Sequence, residues 1–120
     1  MRIYESGEMY LETIFELLRK NGTVRSVDIV TEMGYAKSSV SESLKNLKEK
    51  NLIKVDKEGL ISLTENGASI AKTIYERHIV LSDALIKLGV KSETAEKDAC
   101  RIEHVISEET FDAIKNFVGK

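Results

Sequence analysis

Apolar residues recur at intervals of three and four along most of this chain, the period of amphipathic helices. The first such run covers about Gly7 to Lys20, with Tyr10, Leu11, Ile14, Phe15, Leu17 and Leu18 on one face, and Asn21-Gly22 ends it. Val24 and Arg25 are expected to form a short strand. Ser26 is expected to cap the short helix Val27–Met33, which Gly34 stops. A further helix over Ser38–Lys50 carries its stripe on Val40, Leu44 and Leu47.

The pattern then changes. Leu52-Ile53-Lys54-Val55 and Leu60-Ile61-Ser62-Leu63 are β-prone runs, and Asp56-Lys57-Glu58-Gly59 between them reads as a tight hairpin turn. Helical spacing returns at Thr64-Glu65-Asn66-Gly67 and continues through Ile70, Ala71, Ile74, Tyr75, His78, Leu81 and Leu85 to about Lys87-Leu88, with Gly89 as the stop. Two more helices are expected, over about Ser92–Val105 and Ser107–Val118. Glu108 and Glu109 favour the start of the second.

Two short helices around a glycine turn, followed by a hairpin, make a winged helix-turn-helix. The expected fold is therefore mainly α with a small β-hairpin wing. Residues 1–63 would form an N-terminal DNA-binding domain, and residues 64–120 a helical region.

Charge sharpens this division. The chain carries a net charge of −2, yet residues 19–57 hold nine Lys and Arg against five acids, while the rest holds nine against fifteen. One basic segment in an acidic chain is suited to phosphate, although a solvated helix face gives the same count. Lys37, Ser38, Ser39, Ser41, Glu42 and Ser43 are expected to face outward near the start of the second helix of the motif. Lys54 and Lys57 on the wing are placed to reach phosphates.

Composition narrows the setting. No apolar run approaches the ~18 residues of a membrane span, and Glu5, Glu8 and Glu12 interrupt any signal-peptide pattern. A single cysteine excludes an intramolecular disulfide, so the chain reads as cytoplasmic with a thiol available for chemistry.

That thiol begins Cys100-Arg101-Ile102-Glu103-His104. A thiol, a carboxylate and an imidazole stand here at i, i+3 and i+4, on one face if the segment is helical. Soft, hard and borderline donors together suit a first-row divalent ion. Without a metal, the three would leave buried polar groups to satisfy. Met9 and Glu12 on the first helix, and His78 on the long one, are further candidate ligands. Each alone is more often core filler, a solvated acid or a core histidine.

The segments Gly7-Glu8-Met9-Tyr10-Leu11-Glu12-Thr13-Ile14-Phe15-Glu16-Leu17, Ser38-Ser39-Val40-Ser41, Glu76-Arg77-His78 and Asp98–Ser107 resemble the diphtheria toxin repressor and manganese transport regulator family. The resemblance is to the short form without an SH3-like domain. It implies a homodimeric, metal-activated repressor that binds a pseudo-palindromic operator in double-stranded DNA, with no membrane and no small organic substrate. Met9, Cys100, Glu103 and His104 match the regulatory site of the iron branch, and His78 a histidine of a second site. Ser82, beside Asp83, stands where that branch has a carboxylate, and Glu96 where it has a second histidine. This leaves Glu12, His78 and Glu96 as candidates for a second metal. Glu42 stands where the iron branch has Gln. Thioether and thiolate donors are soft and should favour Fe(II) over Mn(II), with Co(II) or Ni(II) as in vitro substitutes.

The resemblance also suggests a mechanism. A metal held by Met9 from the DNA-binding half and by Cys100, Glu103 and His104 from the other would favour the arrangement in which two winged helices meet two half-sites. Other readings are an Mn(II)-responsive regulator, a metal-independent winged-helix regulator, and an enzyme with Cys100 as nucleophile and His104 as base. Cys100→Ala separates them. The substitution should abolish metal-dependent DNA binding in a metal-activated repressor, any turnover in an enzyme, and only some stability in a plain regulator. Unchanged metal-stimulated binding in a DNA mobility-shift assay would rule out the first.

Overall fold

The computed structural model of the chain describes residues 5–119, with side chains from Gly7 onward. The first four positions of the expected DNA-binding domain and the last of the helical region lie outside the described residues. The elements in order are α1 (Glu5–Asn21), α2 (Ser26–Met33), α3 (Lys37–Glu49), β1 (Ile53–Val55), β2 (Ile61–Leu63), α4 (Glu65–Lys87), α5 (Ser92–Ile102) and α6 (Glu108–Val118). They fall into two compact units, Met1–Lys72 and Thr73–Lys120, divided within α4. Among the described residues, no helix is long and apolar enough to cross a membrane.

The first unit is a winged helix-turn-helix. Its core joins Leu11 and Ile14 of α1, Val24, Ile29 of α2, the Val40–Leu44–Leu47 stripe of α3, and Ile53 and Ile61 of the two strands. The strands pair antiparallel in the register Ile53↔Leu63, Lys54↔Ser62 and Val55↔Ile61. Their turn is held by Asp56, whose Oδ1 accepts from the N–H groups of Glu58 and Leu60, both at 2.9 Å. Gly59 supplies the positive φ of +82° that closes it.

Two local expectations are corrected. Val24-Arg25 is not a strand, although Ile61 N–H donates to Val24 O at 2.8 Å. The N-cap of α2 is Arg25 rather than Ser26. Both differences have one cause. The Asp28 carboxylate accepts from Arg25 N–H at 2.8 Å, which turns Arg25 into the first helical turn and takes its donor away from any sheet.

The entry to α4 is anchored beneath the wing. Thr64 Oγ1 accepts from Gly67 N–H at 3.1 Å and donates to Asn51 O at 2.8 Å, while Thr64 N–H donates to Leu52 O at 3.1 Å. Gly67 packs directly on this loop, and a Cβ there would clash with Leu52 O, a backbone atom.

In the second unit, α4 buries Ile74, Val80, Leu81 and Ala84, α5 buries Ala95 and Ala99, and α6 buries Phe111. Ser107 caps α6 by accepting from Thr110 N–H at 3.1 Å.

The Gly67 contact gives a stability prediction. Gly67→Ala has to displace the Leu52 backbone and should destabilise the protein by ~1–3 kcal/mol, the usual range for overpacking, or more. Urea unfolding followed by circular dichroism measures this, and an unchanged midpoint would refute the close approach.

Candidate metal centre

The centre is built on the last turn of α5. Expected to run to Val105, that helix ends at Ile102. Glu103 is its C-cap, with φ −58° and ψ −24°, and its N–H still donates to Ala99 O. Helical geometry therefore persists through Glu103, and the i, i+3, i+4 convergence survives the early ending. Beyond it the chain tightens, with Val105 N–H and Ile106 N–H both turning back to Ile102 O, at 3.0 and 3.2 Å.

The donors meet as their spacing predicts. One ligand atom each from Cys100, Glu103 and His104 lie within 4.8 Å of one another. Two donors on one first-row ion are at most roughly 4.5 Å apart, so small side-chain adjustments suffice to hold one. Glu103 has no exposed surface, and the His104 side chain has none either, while Cys100 is half-buried.

The Glu103 carboxylate lies between two imidazoles. Oε2 is 3.1 Å from His78 Nδ1, and Oε1 is 3.3 Å from His104 Nε2. Burying a carboxylate is unfavourable unless it is paired. Here the pairing comes from imidazole ring nitrogens, groups able to bind a metal. The thiol, buried carboxylate and imidazole of Cys100, Glu103 and His104 form a donor set that fits a divalent transition ion.

Met9 and Glu12 lie one turn apart on α1, in the first unit. Met9 is half-buried and Glu12 is buried. Ser82 is buried, Asp83 half-buried and Glu96 exposed. His78 Nδ1 lies 3.1 Å from Glu103 Oε2, which ties it to the carboxylate of the Cys100 cluster.

The residues expected to face DNA are exposed in the first unit, with one exception. Lys37, Ser38, Ser39, Ser41, Glu42, Lys54 and Lys57 are solvent-facing, whereas Ser43 is half-buried beside the buried Leu44. The first turn of α3 contains no acidic residue, so its free N–H groups remain open to an anion.

One residue escaped the sequence reading. Arg77 donates from Nη1 to the carbonyls of Glu103 (3.2 Å) and Ile106 (3.3 Å), and its guanidinium lies 5.4 Å from the Phe111 ring centroid. The only available signal was its place beside His78.

Comparison with known proteins agrees with both halves of this description. A family model described as "Iron dependent repressor, N-terminal DNA binding domain" matches residues 2–60, and one described as "Iron dependent repressor, metal binding and dimerisation domain" matches residues 64–120. The chain is 37% identical over 111 residues to the transcriptional regulator MntR of Escherichia coli O6:H1, covering 92% of this chain and 72% of that protein. It is 28% identical over 108 residues to the iron-dependent repressor IdeR of Mycobacterium tuberculosis, covering 89% of this chain and 47% of that protein. A solved manganese-dependent transcriptional repressor in complex with manganese aligns with a TM-score of 0.87 at 25% identity, over 94% of this chain and 52% of that one. The chain thus spans about half the length of the latter two.

A divalent ion at the Cys100 cluster should raise the melting temperature. At a concentration of 100 times Kd the gain is about 2.7 kcal/mol. The gain should shrink as pH falls, because protons compete for the thiolate and the imidazoles. Thermal melts with Co(II), reversed by a chelator, test this, and a melting temperature unmoved by Co(II) at neutral pH would refute the site.

Proposed function

Because the chain belongs to the iron-dependent repressor family, which includes the diphtheria toxin repressor and the manganese transport regulator, we propose that it is a cytoplasmic repressor activated by Fe(II). It is a metal-dependent transcriptional regulator and not an enzyme, which disposes of the Cys100–His104 nucleophile reading.

The observation that carries the proposal is the convergence of Cys100, Glu103 and His104 at the end of α5, with His78 on the same carboxylate. Met9 and Glu12, on α1, would complete the ligand set from the DNA-binding half. A bound ion would supply one positive centre for these donors. The chain's own residues do the rest. Cys100 gives up its proton, His104 presents a neutral ring, and Glu103 offers one oxygen towards each imidazole. If ligands came from both halves, occupancy would favour one DNA-binding arrangement, and DNA should in turn tighten metal binding by the same factor.

At the operator, α3 would enter the major groove with Ser38, Ser39 and Ser41 on phosphates near its N-terminus, and Lys37, Lys54 and Lys57 would add charge. Glu42 can accept from cytosine N4 but cannot donate. A homodimer reading two half-sites implies a pseudo-palindromic operator. The matched dimerisation domain carries an apolar groove of about 410 Å³ lined by Leu81, Leu85, Leu88, Ile102, Ile114 and Phe117, with Leu88 and Phe117 largely exposed. This surface suits a second copy of the chain.

The preference for iron rests on the softness of the Cys100 thiolate and the Met9 thioether. The second reading, an Mn(II)-responsive regulator, is favoured by the 37% identity to a protein named MntR, against 28% to IdeR.

Operator binding by purified apo-protein, titrated anaerobically with Fe(II) and Mn(II) in parallel, decides between them. Half-maximal binding is expected at lower free Fe(II) than Mn(II). A stronger response to Mn(II) would favour the second reading, and no response to either would overturn metal activation.

A further inference from the structure

Consecutive residues of α4 hold the two ends of Glu103. His78 Nδ1 meets its carboxylate at 3.1 Å, and Arg77 Nη1 donates to its main-chain carbonyl at 3.2 Å. The same Nη1 donates to Ile106 O at 3.3 Å, which closes the turn from Glu103 to Ile106 around one guanidinium nitrogen. Phe111 lies beneath the guanidinium at 5.4 Å and is itself 5% exposed. Arg77 Nε is buried with no hydrogen-bond partner among the described residues, so the two carbonyls and the ring hold the group in place.

These contacts tie the turn that follows α5 to α4. In a continued helix, Glu103 O would accept from the N–H four residues later. Arg77 takes that place, so the segment that carries Glu103 and His104 is fastened to α4 by a side chain rather than by a further helical bond. The two clamps differ in one respect. His78 grips a carboxylate that a bound ion would also engage, whereas Arg77 grips a main-chain oxygen that takes no part in the donor set described above.

From this we propose that Arg77 is a positioning residue for the metal centre. It presets the Glu103–His104 turn against Cys100 and thereby sets metal affinity and ligand geometry. The proposal rests on the metal-site reading above. Lysine is a poor substitute, because a single flexible ammonium does not reproduce a planar fork stacked on an aromatic ring.

The test uses Co(II) as probe. Its charge-transfer absorption from the Cys100 thiolate reports ligation directly, and it is read on the full-length protein under anaerobic conditions. Arg77→Gln should weaken Co(II) binding by about 10–100-fold, the usual effect of losing an outer-shell partner, and should diminish or shift the thiolate band. Arg77→Lys should fall between Arg77→Gln and wild type. Lys115→Gln is the control. It breaks the 2.9 Å Lys115–Glu76 ion pair, another tie between α4 and α6, and should leave the affinity and the band unchanged. Wild-type affinity and spectrum in folded Arg77→Gln would overturn the proposal, as would equal weakening by Lys115→Gln. If Arg77→Gln does not fold, Arg77→Lys decides, and wild-type affinity in that variant overturns it. Absence of a Cys100-dependent band in the wild-type protein would overturn the metal-site reading itself, a failure distinct from a band that Arg77 does not influence.

Discussion

Glu103 is a carboxylate without exposed surface, and it stands between the ring nitrogens of His78 and His104. A negative charge in such a place has to be matched by donors or by a cation. In this protein the matching groups are imidazoles, a residue type able to ligate a metal, and a thiol lies within reach of His104 and Glu103. The second unit is arranged around that requirement. Helix α4 supplies His78 for the carboxylate and Arg77 for the carbonyl of the same residue, just past the end of α5 at Ile102.

The first unit has a different controlling constraint, the seating of α4 under the wing. Leu52 O accepts from Thr64 N–H while Gly67 presses on the same peptide, so the exit from α3, the hairpin and the start of α4 are locked at one place. The serines and lysines expected to meet DNA stand on solvent-facing positions because Val40, Leu44 and Leu47 occupy the buried side of the same helix.

Much of this was legible from the chain alone. The spacing of apolar residues located every helix to within a few positions, and the turn at Asp56–Gly59 located the hairpin. The Cys-x-x-Glu-His order implied a converging donor set, and the donors do converge. The misreadings are local competitions that pattern cannot rank. Asp28 captured the N–H of Arg25, which became a cap instead of a strand residue. Ser43 was expected outward but is half-buried, because it neighbours the apolar stripe on the helix circumference.

The amino-acid sequence by itself determined the helical and hairpin elements, the basic character of the motif and the chemical type of the donor cluster. These depend on residues within a turn or two of one another, where periodicity and intrinsic preference act directly. The tertiary structure alone decided which imidazole meets Glu103 from 25 residues away, which carbonyls Arg77 would claim, and why position 67 has no room for a side chain. Each of these is a meeting of groups far apart along the chain. Their partners are selected by packing geometry, which no local pattern of residues contains.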